Sequence, residues 1–482
     1  MLFGTSGIRG IYGKYITEEL AYKIANVFAH ESIVIGRDTR KSGLTLENAC
    51  ADGVIDNRNH VSLLGIVPTP TLALATVKIK CPGIMITASH NPSEYNGFKL
   101  FEKGKEISRS DEKWFEQKFN KWVEPAEKGE ESIYMGEDGG GEYFCARKDL
   151  KIDVYAIHER GSFGYTSKNP IQDHKEMIKK LIDCAVIAKR KPKIVVDCNG
   201  AASTVTPYLL RELGCHVISV NCELEGFNRA SEPNAENLAR TAAMVKAVGA
   251  DLGIAHDGDG DRCVVIDETG NVLPLDVQLA IMVEYEAGSY WSLAGSQLPK
   301  AKSQKPIIIS TVEASLIVRE TCERAGADIK ITPVGSVYIS EELEKTSALF
   351  GGEPCGEYIF GSAGHHAPDG VLAAVKFVEI FAKHGKLSEL RKKYKQYPMI
   401  REKFKCEKKD KYEAIREIIK KININGTRTE DDGLRVDEKD GWFLIRASGT
   451  EPIIRLTMEY KNKKKLEERA SELRRMIRIF IS

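Results

Sequence analysis

Three aspartates alternate with glycines in Asp257-Gly-Asp-Gly-Asp261, and Arg262 follows directly. With no bulky side chains between them, three hard oxygen ligands can converge on one divalent cation. A calcium loop of the EF-hand type would place Glu268 at its twelfth position. It would also need glycine at the sixth, where Arg262 stands, and a helix where Cys263 to Ile266 continues as a strand. Three carboxylates without a fourth protein anion leave room for an external ligand. The second reactive stretch is Thr87-Ala-Ser-His-Asn-Pro92. The apolar run Ile84, Met85, Ile86 reads as a strand, and Asn91-Pro92 forces a turn because proline disfavours helix in the residue before it. Ser89 therefore sits at a strand tip, either as a covalent carrier or as the cap of a following turn. His90 and Asn91 supply hydrogen-bonding groups beside it, and Lys99 returns a cation after a bend at Asn96-Gly97.

Two further stretches suit phosphate. Phe3 to Gly10 holds three glycines, two hydroxyls and Arg9, so backbone N–H groups and a guanidinium can lie against an anion. Near the other end, Arg446-Ala-Ser-Gly-Thr450 lies between two strands. Arg446, Ser448, the Gly449 backbone, Thr450 and Arg455 can form a phosphate cradle there. A tight hairpin with incidental hydroxyls is the alternative.

The elements that must position these residues follow one repeated grammar. Strands at Ile33 to Asp38 and Val61 to Val67, and the one ending at Ser89, alternate with helical stretches. The order recurs at Ile194 to Asp197, His216 to Val220 and Leu252 to His256, ending in the aspartate loop. It recurs again at Ile307 to Ser310, Ile329 to Thr332 and Ala348 to Gly352, ending in Glu353-Pro-Cys-Gly-Glu357. Ligands bind α/β sheets at the carboxyl ends of strands, so three such units around one cleft would bring these loops together. The expected fold is α/β: three tandem related domains with mixed sheets and a smaller C-terminal α+β domain around a central cleft. Thr17 with Glu18 and Glu19 starts a helix whose Leu20, Ile24, Val27 and Phe28 face the core. The expected boundaries are 1–133 for the serine-loop domain, 134–169 for a linker with an insertion, and 170–286 for the metal-binding domain. Residues 287–385 are expected to form a third α/β domain, with a surface loop at 287–305, and 386–482 the C-terminal α+β domain that carries the phosphate cradle. In that last domain the sequence predicts a lysine-rich helix over Arg401 to Lys421, two strands, and a terminal helix with Leu466, Ala470, Leu473, Ile477 and Phe480 on one face.

Composition narrows the partners. The 482 residues carry 70 Lys+Arg against 69 Asp+Glu, a net charge of +1, which gives no reason to expect a nucleic-acid or anionic-membrane surface. Small molecules are the expected partners. Eleven cysteines without any C-x-x-C pair fit reduced thiols rather than a disulfide framework or zinc site. No signal peptide or membrane span is read, so a soluble cytoplasmic protein is expected. Oligomeric state is not legible.

Taken together, the serine loop, aspartate triplet, Gly-Glu loop and terminal cradle resemble the α-D-phosphohexomutase superfamily, the phosphoglucomutase, phosphomannomutase and phosphoglucosamine mutase enzymes of archaeal and bacterial type. The likeness runs over essentially the whole chain. It implies an isomerase that interconverts hexose 1-phosphate and hexose 6-phosphate through a phosphoserine and a hexose 1,6-bisphosphate. It implies that Ser89 is the carrier, that Asp257, Asp259 and Asp261 hold one Mg²⁺ with the phosphoserine, and that Arg9 and Lys99 act in acid–base work with His90 alongside. Glu353 and Cys355 fall where sugar hydroxyls are read, which makes residues 287–385 the sugar-recognition domain, and Arg262 and Glu357 are among the substrate contacts. The Arg446 to Thr450 loop falls where the non-reacting phosphate binds. The family's usual G-E-x-S-G-H stands here as Gly352-Glu-Pro-Cys-Gly-Glu357, so cysteine replaces serine and glutamate replaces histidine. The expected substrates are glucose and mannose phosphates, with glucosamine phosphate as the alternative that Glu357 could favour through its charge. A metal-dependent phosphatase and a silent sugar-phosphate sensor are rival classes. The first needs no serine carrier, and the second would be expected to lack Ser89 or an aspartate.

Overall fold

Thr17 is extended, and its Oγ1 accepts the N–H of Leu20 at 3.2 Å, which opens the helix Glu18–Phe28 where the polar start signal placed it. Ile24 and Phe28 on its inner face are buried, with Leu20 and Val27 packed at the edge of the same core. The structure is a computed structural model and describes residues 2–4, 6–123, 152–154, 169–297, 304–406, 410–448 and 452–481. It divides into two compact units, Met1–Leu273 with Cys355–Leu390, and Pro274–Pro354 with Arg391–Ser482.

The first unit holds two sheets. Strands β1 (Ile8–Ile11), β2 (Ile33–Arg37), β3 (Val61–Ile66), β4 (Gly83–Ile86), β5 (Tyr95–Glu102), β6 (Lys105–Glu106) and β7 (Ile152–Val154) form one, in the order β1-β5-β4-β2-β3-β7 with β6 on β5. β2 runs parallel to β3 and β4, whereas β5 is antiparallel to β4 and β1, so the sheet is mixed. The near-continuous apolar runs of β2 and β4 reflect burial on both faces. Asn96-Gly97 is not the bend read from the sequence. Both residues lie inside β5, where a side chain at Gly97 would come within 2.1 Å of the Ile8 carbonyl, so glycine serves close strand approach. Part of the expected linker also joins this sheet, because β7 pairs in parallel with Val61 to Leu63. The remainder of 134–168 lies outside the described residues. β8 (Lys193–Asp197), β9 (His216–Val220), β10 (Leu252–Ala255) and β11 (Val264–Asp267) form the second sheet, ordered β11-β10-β8-β9 with only β11 antiparallel.

In the second unit β12 (Ile307–Thr311) lies between β13 (Asp328–Thr332) and β14 (Phe350–Glu353), both parallel to it. β15 (Glu357–Phe360) belongs to the first unit. Residues 287–297 are not loop but the end of the helix Leu275–Gln297. Their serines and glycines hide it: Ser292 Oγ donates back to the Gly288 carbonyl, while Ala287 is buried and Trp291 Nε1 donates to the Ala325 carbonyl.

The C-terminal sheet has five antiparallel strands, ordered β16-β20-β19-β18-β17: β16 (Met399–Lys405), β17 (Thr427–Thr429), β18 (Leu434–Glu438), β19 (Gly441–Ala447) and β20 (Ile453–Tyr460). The helix expected from Arg401 begins only at Lys411. Its first part is β16, where exposed Arg401, Lys403 and Lys405 point away from the face of Ile400 and Phe404, and which pairs with β20 from Ile453 to Glu459. The terminal helix Lys463–Ile481 buries Leu466, Ala470, Leu473 and Ile477, as its spacing predicts. Among the described residues no helix is long and apolar enough to cross a membrane. None of the ten described cysteines forms a disulfide.

Candidate active site

Strand β4 is fully buried, and its last residue leads into Thr87, Ala88 and Ser89 at the carboxyl edge of the sheet. Burial of Ile84, Ile86 and the neighbouring Phe98, at about 1.5–3 kcal/mol each, fixes the strand that delivers the serine. Ser89 takes the left-handed conformation, φ 48°, and its Oγ donates to Asp257 Oδ2 at 2.7 Å. The serine loop and the aspartate loop, 168 residues apart in sequence, thus meet atom to atom. A side chain at Gly258 would stand 2.9 Å from the Ser89 carbonyl, which explains the first glycine of the triplet.

The aspartate loop leaves β10 and returns directly as β11, as the rejection of a calcium loop requires. Asp257, Asp259 and Asp261 are buried, and one oxygen of each lies within 4.8 Å of the others. Lys99, on β5, donates to Asp259 Oδ2 at 2.9 Å and Asp261 Oδ2 at 2.6 Å. Thr69 Oγ1 donates to the same Asp259 oxygen at 2.7 Å. Burial pushes Asp257 up to about 6, with Asp259 adding to it. Asp261 is raised well above the usual carboxylate range by burial and by the other two aspartates. Burial works on Asp259 in the same direction, but Lys99 and Thr69 outweigh it and hold that group low. One ammonium does not balance three buried carboxylates. The second oxygens of Asp259 and Asp261 are buried with no hydrogen-bond partner. Orphaned hard oxygens and uncompensated negative charge are what a divalent cation would satisfy, so the donor set fits Mg²⁺.

The cations follow the same sheet. Burial opposes the charge on Lys99, yet Asp259 and Asp261 raise its pKa above the ordinary lysine value, so it is firmly an ammonium. Arg9, on β1 opposite Gly97, donates to Asn91 Oδ1 at 3.3 Å and Ser6 Oγ at 3.2 Å. His90 Nδ1 lies 3.5 Å from Ser89 Oγ. The Arg262 charge, then burial, then Arg9 drive its pKa down to about 2, so its imidazole is neutral. Arg262 in turn donates to Glu357 Oε1 through Nε at 3.1 Å and Nη2 at 2.9 Å; burial opposes its charge, but Glu357, Asp257 and Asp261, with Cys355 close by, keep its pKa above the ordinary arginine value. The first unit therefore gathers Ser89, His90, Lys99, Arg9, the three aspartates, Arg262, Cys355 and Glu357.

The remaining candidates belong to the second unit. Glu353 is buried, and its Oε1 accepts the Gly335 N–H at 3.1 Å. Arg446 and Arg455 are paired across β19 and β20. Arg446 Nη1 lies 3.3 Å from Glu313 and 3.4 Å from Asp432, so a phosphate arriving there would compete with two carboxylates. Ser448 is buried, and its carbonyl accepts Lys411 Nζ at 2.5 Å. Gly449 and Thr450 lie outside the described residues. Thr69, Arg40 and Ser231 touch the site without a motif to mark them. The signal for Arg40 is the Asp38-Thr-Arg40 charge pair directly after a buried strand.

This chain belongs to the phosphoglucomutase/phosphomannomutase family. Models of that family match alpha/beta/alpha domain I over residues 1–126, domain II over 172–270, domain III over 288–397 and the C-terminal domain over 402–476. The chain is accordingly an isomerase of the phosphohexomutase type. It is similar to a probable phosphoglucosamine mutase of Methanosarcina barkeri, 38% identical over 463 residues that cover 95% of each chain. The phosphoglucosamine mutase of Methanocaldococcus jannaschii is 35% identical over 480 residues, covering 97% of this chain and 96% of that one. A phosphoglucomutase/phosphomannomutase family protein of Burkholderia thailandensis shares the fold, with a TM-score of 0.79, 24% identity, and coverage of 99% of this chain and 97% of that chain.

Proposed function

We propose that this chain is a phosphoglucosamine mutase, interconverting glucosamine 6-phosphate and glucosamine 1-phosphate by way of a phosphoserine at Ser89 and a hexosamine 1,6-bisphosphate. The observation that carries the reaction is Ser89 Oγ at 2.7 Å from Asp257, at the meeting point of the aspartate triplet and Lys99. Phosphoryl transfer offers little covalent help to a protein, so positioning and charge neutralisation do most of the work. Ser89 gives its phosphoryl group to one sugar hydroxyl and regains one from the other position after the bisphosphate turns round. Lys99 and Arg262 bring fixed positive charge to the transfer, and neutral His90 offers a hydrogen-bonding nitrogen next to Ser89. Asp257, Asp259 and Asp261 would hold Mg²⁺ beside Ser89, and its chemistry is neutralisation of charge on the transferring group. Arg446, Ser448, the Gly449 backbone, Thr450 and Arg455 would receive the phosphate that is not reacting, and Glu353 and Cys355 would read sugar hydroxyls. The partners are thus sugar phosphates, and a reduced cytoplasmic setting suits cysteines that form no disulfide.

Glucosamine replaces the expectation of glucose and mannose as the main substrates. Relatives of 35% and 38% identity that match nearly the whole chain carry the phosphoglucosamine mutase name. Glu357 supports the same choice: it puts a carboxylate where the family's histidine stands, and one oxygen of it engages Arg262. An amino sugar differs from glucose by one positive charge, which that carboxylate can balance. The test compares kcat/KM for the 1-phosphates of glucosamine, glucose and mannose in the wild type and in Glu357→Gln. Glucosamine 1-phosphate should lead in the wild type. The substitution should lower its value about ten- to a hundredfold more than the others, the size of a charge-assisted contact. A wild type that prefers mannose 1-phosphate, or an equal loss for all three, would contradict the assignment.

A further inference from the structure

We propose that Arg40 and Ser231 are positioning residues that set the reactive direction of Ser89 by gripping its peptide carbonyl; the inference rests on Ser89 being the phosphoryl carrier. A non-glycine residue at φ 48° persists only where its surroundings over-determine it. Here both peptide groups of Ser89 are held. Its N–H donates to Thr87 Oγ1 at 2.8 Å, and Thr87 Oγ1 donates to Asp38 Oδ2 at 2.7 Å. Its carbonyl accepts two donors, Arg40 Nη2 and Ser231 Oγ, each at 2.8 Å.

Arg40 is a fully committed fork. Nε donates to Asp38 Oδ2 at 2.9 Å, Nη1 to the carbonyls of Pro92 and Tyr95 at 2.5 and 2.7 Å, and Nη2 to the carbonyls of Ser89 and Asn91. Its side chain is fully buried, and the Phe227 ring covers it at 4.8 Å. Four carbonyls of one loop thus converge on one planar cation, so the shape of residues 89–95 is templated by a guanidinium. Lysine has neither the plane nor the number of donors to replace it. Ser231 does a different part of the task. While its hydroxyl donates to the Ser89 carbonyl, it accepts the Gly258 N–H at 3.1 Å. One buried oxygen therefore fixes the spacing between the serine loop and the aspartate loop, a role that alanine cannot fill. Neither residue touches Ser89 Oγ, the only polar group of that serine left to react.

Loss of either grip should slow phosphoryl transfer without weakening sugar binding. The experiment mixes the wild type, Ser231→Ala and Arg40→Lys with glucose 1,6-bisphosphate, follows phosphorylation of Ser89 by rapid quench and intact mass, and measures kcat and KM separately. Ser231→Ala should phosphorylate about ten- to a hundredfold more slowly, and Arg40→Lys about a hundredfold or more, with KM within about twofold, as expected for misplacement of a reacting group. If Arg40→Lys does not fold, Ser231→Ala, which removes a single oxygen, decides alone. A Ser231→Ala protein that keeps pace, or one in which only KM changes, overturns the inference. A wild type that accepts no phosphoryl group overturns the carrier reading and this inference with it.

Discussion

Ser89→Ala should fold and should lose mutase turnover by at least about 10⁴-fold, on the scale seen when a nucleophile is removed from an otherwise intact site. No neighbouring hydroxyl can take over. Thr87 Oγ1 is committed to Asp38 and to the Ser89 N–H, and Ser6 Oγ donates to Glu106. Losing the Ser89 hydroxyl leaves Asp257 without that donor, but the loop keeps the backbone grips on residue 89. Steady-state rates with circular dichroism and thermal unfolding would check both halves of the expectation. Retained turnover would show that the phosphoryl group is carried elsewhere.

The second large effect is expected at the aspartate triplet. Asp259→Ala removes the carboxylate that Lys99 and Thr69 both address, and with it one of the two orphaned buried oxygens. Lys99 would keep only Asp261. Turnover should fall by about 10³-fold or more, equivalent to several kcal/mol of charge stabilisation in the transition state. Exhaustive chelation of the wild type should cause a loss of the same order, reversed by added Mg²⁺, and chelation should have little further effect on the variant. If wild-type turnover survives chelation, the triplet is not a catalytic metal site.

Much of this site was legible because its chemistry sits at strand ends. Ser89, the aspartates and Lys99 each follow or lie on an apolar run, and such runs are the clearest strand signal. The βα grammar of the first three domains was readable for the same reason. What the sequence hid was hidden by physics of other kinds. β16 looks helical because Arg401, Lys403 and Lys405 face solvent while Ile400 and Phe404 turn inward, and Glu402 on that inner face, paired with Arg474, interrupts the apolar alternation. The helix through Gln297 looks like loop because its serine and glycine satisfy their polar groups within the helix. Ser231 is silent, and Arg40 is marked only by its charge pair with Asp38, because both grip Ser89 through its backbone carbonyl, and no spacing in the chain announces a carbonyl. Glu357 was visible only as a departure from a pattern, and its ion pair with Arg262 appears only once the two loops are folded together.

The measurement that bears most directly on the whole account is the mass of the intact chain before and after incubation with a hexose 1,6-bisphosphate, followed by peptide mapping and then by addition of glucosamine 1-phosphate. A mutase working through Ser89 should gain one phosphoryl group, confined to the peptide that contains Ser89, and discharge it onto the added sugar phosphate with release of bisphosphate. A chain that gains nothing, is labelled on another residue, or keeps its phosphoryl group in the presence of sugar phosphate would contradict a mutase working through Ser89.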